Sequence, residues 1–116
     1  MYYYKDAIIY LISKFPELKP IYDKDIDEYI DLPYLFYEPV FVPYIMDKIN
    51  LREEEELKKI FSFIEDLLKN GDEKTINLIE VAVIESLFFE KEYNEIKPII
   101  FKFCGKLTKE SFDVMG

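Results

Sequence analysis

Between Tyr22 and Glu38 the chain carries six carboxylates, Asp23, Asp25, Asp27, Glu28, Asp31 and Glu38, against the single cation Lys24. Tyr22, Tyr29, Tyr34 and Tyr37 are interleaved among them. Carboxylates at this density steer and pair with Lys and Arg of a partner, and tyrosine offers a large, stiff contact face at small entropic cost. The chemistry on offer is recognition of a basic surface, with the six acids as charge partners and Tyr34 and Tyr37 as anchors. The plainer alternative is a solvated acidic face whose tyrosines pack into the core. The spacing Asp23-x-Asp25-x-Asp27 resembles the start of a calcium loop, but an EF-hand needs Gly at its sixth position and a bidentate Glu at its twelfth. This chain has Glu28 and Tyr34 there, so no metal site is expected.

Other chemistry is sparse. Glu80 and Glu85 lie in the most apolar stretch, where desolvation would raise a carboxyl pKa as general acids and bases require. Without His, Ser or metal-ligand company such acids are more often structural, hydrogen bonded to backbone, Tyr or Lys. Cys104, between Phe103 and Gly105, reads as a core thiol. The chain has no histidine, which removes the commonest general base, the usual Ser and Cys activator and the commonest zinc ligand. There is no Gly-rich phosphate loop, and no carboxylates are spaced to hold magnesium between facing helices. The expectation is a protein that binds without catalysis and without a cofactor.

Charge narrows the partner. With 24 acidic against 15 basic residues the formal charge is -9, which repels phosphate backbones and anionic membrane surfaces. Neither nucleic acid nor membrane is expected as a partner; a basic protein is. A single cysteine makes no internal disulfide, and the first residues lack the pattern of a signal peptide, so the cytoplasm is the expected compartment.

The elements that must position these residues are helices. A length of 116 residues suits one hydrophobic core, 50% of the residues are hydrophobic, and three glycines are too few for a fold of tight hairpins. Apolar residues recur at three- and four-residue steps over 2–15 and again over 17–29, with Pro20 confined to a first turn. Residues 34–37 read as an aromatic loop after Pro33, followed by a helix over 42–50 with Pro43 near its start. Glu53–Glu56 loads the first turn of a long helix with favourable negative charge. Asn70-Gly71-Asp72 predicts a helix stop, a left-handed turn and a new N-cap, giving an α-hairpin. The run 76–89 is apolar on nearly every side and predicts a central helix. Pro98 is placed to open a short helix, Gly105 to close it and Thr108 to cap a last turn. The expected architecture is all-α, a single-domain antiparallel bundle or stack of about five to six helices over residues 1–116.

Three stretches carry a resemblance: Phe15-Pro16-Glu17-Leu18; Phe61-Ser62-Phe63-Ile64-Glu65-Asp66-Leu67-Leu68; and Asn77-Leu78-Ile79-Glu80-Val81-Ala82-Val83-Ile84-Glu85-Ser86-Leu87. Together they resemble a family of small, acidic, helical bacterial immunity proteins associated with polymorphic and contact-dependent growth inhibition toxins. The resemblance implies a stoichiometric inhibitor that binds a cognate toxin domain one-to-one, most plausibly a nuclease with a basic groove, and it carries over no catalytic residue. The alternative, from a different class, is a helical adaptor or homo-oligomer that pairs through aromatic patches such as Tyr2-Tyr3-Tyr4.

Overall fold

Ala7, Ile8 and Leu11 share one face and bury it, so the first segment winds into α1 (Ala7–Lys14), entered through a 3-10 turn at Tyr4–Asp6. Pro16 cannot continue that helix and opens a second 3-10 turn, Pro16–Leu18. Pro20 sits in the first turn of α2 (Lys19–Lys24), where its missing N–H costs nothing. The helix expected over 17–29 is not continuous. Asp25 leaves the helical region with φ -134° and ψ 45°, and the chain restarts as α3 (Ile26–Tyr29).

The computed structural model describes residues 1–116 and is all-α, with no strand. The aromatic run after Pro33 is helical rather than a loop. It begins α4 (residues 34–50), which passes from Tyr34–Phe36 through a π-helical segment, Tyr37–Phe41, into the expected stretch Val42–Asn50. The π turn explains how one helix holds both Pro39 and Pro43. The ladder of four-residue hydrogen bonds is already interrupted there, the Val42 N–H reaching back five residues to the Tyr37 carbonyl, so a proline that cannot join that ladder is accommodated. Phe41 thereby reaches the core, its ring 5.5 Å from Phe15 and 5.9 Å from Phe63, with Phe15 and Phe63 edge to face at 5.6 Å. Contacts of this kind add about 0.5–1.5 kcal/mol each beyond burial.

The long helix α5 (Glu54–Asn70) turns back through Gly71 into α6 (residues 73–88), the predicted hairpin. Asp72 is its N-cap, accepting from the Thr75 N–H at 2.9 Å. Gly71 is not left-handed, as expected, but extended, with φ -81° and ψ 157°. Glycine is required for space: a methyl there would collide with the Leu67 carbonyl and the Thr75 side chain. Tyr2 lies beside Gly71 in an isolated bridge, its N–H donating to the Asn70 carbonyl at 2.7 Å and its carbonyl accepting from the Asp72 N–H at 2.8 Å. The middle of α6, Ile79–Glu85, is a second π-helical segment.

Two local expectations at the C-terminal end are corrected. Pro98 lies inside α7 (Tyr93–Phe103), not at its start. Thr108 is buried in the first turn of α8 (Lys106–Met115), and the residue that satisfies that turn is Glu65, from α5. Its carboxylate accepts from the N–H groups of Leu107 at 3.0 Å and Thr108 at 2.9 Å and from the Thr108 hydroxyl at 2.9 Å. Gly105 has no side chain because one would strike that carboxylate. The helices number eight rather than five or six because α2 and α3 are separate short pieces and α7 and α8 are both full helices. All 27 buried apolar residues form one contiguous cluster, so the chain is a single domain.

Candidate binding surface

The segment from α2 to the start of α4 presents its acids to water. Asp23, Asp25, Asp27, Glu28 and Asp31 are all exposed, and only Asp23 has a local counter-ion, Lys19 at 2.7 Å. What the sequence reading missed is the aliphatic complement. Ile21, Ile26, Ile30, Leu32 and Leu35 are exposed by 41 to 56% in the same segment. Carboxylates and half-free aliphatic side chains alternate along about fifteen residues, a composition that is costly in water and suits a partner with apolar and basic groups. The reason is local: with the helix broken at Asp25, neither short piece can turn all its apolar residues inward.

The tyrosines divide into pins and one surface group. Tyr22 and Tyr29 stack on each other at 6.3 Å and meet Phe36 edge-on at 5.7 and 5.0 Å, which fastens α2 and α3 to α4. Tyr37, expected as a partner anchor, is fully buried and its hydroxyl donates to the Ala7 carbonyl at 2.6 Å. It is a core residue, turned inward by the π segment, and cannot touch a partner. Tyr34 is half-buried beside Tyr4, ring centroids 6.2 Å apart, and its hydroxyl accepts from the Asn77 side-chain amide at 2.7 Å. It lines a recess of about 550 Å3 with Tyr4, Glu73, Lys74 and Asn77. Glu38 is exposed on α4 but turned toward α6, accepting a 3.4 Å hydrogen bond from the Ser86 hydroxyl, so it stands apart from the acids of α2 and α3.

The Tyr2-Tyr3-Tyr4 patch does not exist as a surface. Tyr2 is half-buried against Tyr10, and its hydroxyl donates to Asp66; Tyr4 is half-buried beside Tyr34; Tyr3 alone is exposed, by 50%.

Residues 8–114 match a domain of unknown function, DUF7674. The chain belongs to the DUF7674 family. No curated protein and no solved structure is detectably similar to it.

In this DUF7674 chain Glu80 and Glu85 border one recess and Cys104 another. Glu80 and Glu85 are exposed, contrary to the expectation that their apolar helix would desolvate them, because both fall on its solvent side. Burial pushes the half-buried Cys104 thiol up, and the nearby Glu65 charge adds to that, so it is a poor nucleophile. The Tyr44 hydroxyl, pushed up by burial and by Glu56 and Glu17, donates to Glu56 at 2.8 Å and joins α4 to α5. No three His, Cys, Asp or Glu side chains come together in a way that could hold a metal ion, and no helix is long and apolar enough to cross a membrane. Four of the fifteen cations, Lys14, Lys58, Lys59 and Lys69, line a separate recess on α1 and α5 together with Glu65 and Asp66.

Proposed function

We propose that this chain is a non-catalytic, one-to-one inhibitor of a basic protein domain, acting as an immunity protein acts on a cognate bacterial toxin domain in the cytoplasm. The observation that carries the binding part of this reading is the exposed segment 21–35, where Asp23, Asp25, Asp27, Glu28 and Asp31 alternate with Ile21, Ile26, Ile30, Leu32 and Leu35. The toxin part rests on the resemblance of the three stretches that lie at the end of α1, in α5 and in α6.

The physical sequence of events follows from the two kinds of side chain. Uncompensated carboxylates raise the rate of encounter with a basic groove, such as that of a nuclease. The aliphatic side chains then lose water against the partner, and Tyr34 adds an aromatic face at the edge. Carboxylates laid across a basic groove occupy the place where phosphates would sit, so binding and inhibition are one act.

The test is co-expression with the C-terminal domain encoded in the adjacent gene, read by native mass and by cell survival. A one-to-one complex with loss of toxicity is the expected result. Absence of a complex with unrelieved toxicity overturns the toxin reading, and a complex that leaves the partner's activity intact selects the alternative of a helical adaptor.

A further inference from the structure

The two π-helical segments, Tyr37–Phe41 in α4 and Ile79–Glu85 in α6, pack against each other, and a groove runs along the outside of that contact. It encloses about 430 Å3 between α4 and α6 and continues past Val42, Pro43 and Glu90 into a further 340 Å3 along α4. Val42, Met46, Val81 and Phe89 supply its apolar lining, with Phe89 exposed by 72% and Val81 by 42%. A π turn holds one residue more than an α turn, so the apolar run of α6 cannot keep every side chain on its inner face. Val81, from that π segment, and Phe89, just past the end of α6, stand exposed here.

The rim is of one sign. Glu38, Asp47, Glu85 and Glu90 border the groove, and no lysine or arginine lines it. A second copy of the chain would set acid against acid in a protein of formal charge -9, which disfavours self-pairing. The stretch Val42–Asn50 that forms one wall is nine residues long, about 13 Å at 1.5 Å per residue, room for two to three helical turns.

We infer that this groove docks an amphipathic helix of a partner protein, one that lays aliphatic or aromatic residues at i, i+3 or i+4 and i+7 over Val81, Phe89 and Met46 and sets Lys or Arg against the four rim carboxylates. This is the helix-in-groove mode of recognition, in which the apolar anchors set affinity and the flanking charges set orientation. Met46 gives the lining some capacity to adapt to different anchors. The site is distinct from the acidic segment of α2 and α3 and does not depend on the function proposed above.

The experiment is fluorescence anisotropy of the whole chain with a labelled Leu/Lys peptide of roughly 16 residues patterned as an amphipathic helix, beside a peptide of the same composition in scrambled order. The patterned peptide is expected to bind at least about tenfold more tightly than the scrambled one. Phe89→Ser and Val81→Ser, at exposed positions, are expected to remove that difference while circular dichroism stays unchanged. Glu95→Gln, at an exposed carboxylate outside both surfaces, is expected to leave it within about twofold. Equal binding of both peptides, or indifference to Phe89→Ser, overturns the groove and leaves only general attraction to acid. Loss of that difference in Asp25→Lys with Glu28→Lys, where it persists in Phe89→Ser, moves the peptide to the other surface and likewise overturns the groove. A dimer seen by sedimentation that disappears in Phe89→Ser puts a second copy in the groove instead of a basic helix.

Discussion

Glu65 and Thr108, forty-three residues apart in the chain, are joined by two hydrogen bonds of 2.9 Å, one from the threonine backbone and one from its hydroxyl to the same carboxylate oxygen. The other oxygen takes the Leu107 N–H. The first turn of α8 is therefore satisfied from α5, and the dipole of α8 meets a negative charge at its positive end.

Glu65→Ala leaves the buried Thr108 hydroxyl and two N–H groups without their acceptor. The expected loss is on the order of 1–3 kcal/mol, read as a lower urea midpoint, with hydrogen exchange in α8 accelerating before the rest of the chain. Uniform exchange across all helices would mean that the carboxylate does not hold this end in particular.

Acid should act at the same place. Partial burial pushes the Glu65 carboxyl up, but hydrogen bonds from Thr108 and Leu107 and the charge of Lys69 outweigh it, and the group ends below its ordinary value. A folded-state pKa below the unfolded one gives stability that is complete above the unfolded value, near 4.3, and is lost as pH falls through the folded value. Asp72, lowered by the Thr75 side chain and N–H, behaves in the same direction. Amide spectra recorded from pH 6 downward should show the starts of α6 and α8 loosening below about pH 4, and Glu65→Gln should abolish the α8 part of that response.

Tyr37→Phe removes the buried donor to the Ala7 carbonyl and should cost about 1–3 kcal/mol by thermal or urea denaturation. Partner association should be unaffected, since the ring never reaches the surface. Slower association with unchanged stability would contradict the burial.

Gly71→Ala forces a methyl into the Leu67 carbonyl and Thr75. A lowered melting temperature is expected, far more than for Gly116→Ala, where the nearest atom to a new methyl is 3.7 Å away.

Asp25→Lys combined with Glu28→Lys changes only exposed side chains, so the melting temperature should hold. Association with a basic partner should slow by about tenfold or more at low salt and converge with the parent at high salt. Unchanged association would remove this segment from the interface.

The long elements were legible because their periodicity is strong: Leu57, Ile60, Phe61, Ile64, Leu67 and Leu68 can bury together only on a helix, and Asp72 announces the next one. What was not legible depends on partners distant in sequence. Pro33 and the prolines at 39 and 43 argue for a loop until a π turn is allowed, and no local pattern specifies a π turn. Tyr37 looked like an anchor because its neighbours are acids, yet its side chain answers to Ala7, thirty residues earlier. The acids of the candidate surface could be read from composition. The aliphatic residues between them could not, since Ile26 or Ile30 on a continuous helix would have been inside.

The bridge between Tyr2 and Gly71 orders events during synthesis. The Tyr2 backbone has no bridge partner until residues 70–72 have been made, whereas the turn between α5 and α6 forms from neighbours. Tyr2 thus docks only after about seventy further residues have been made, through the closure of a long loop, and until then its backbone groups stay open to water or to a chaperone.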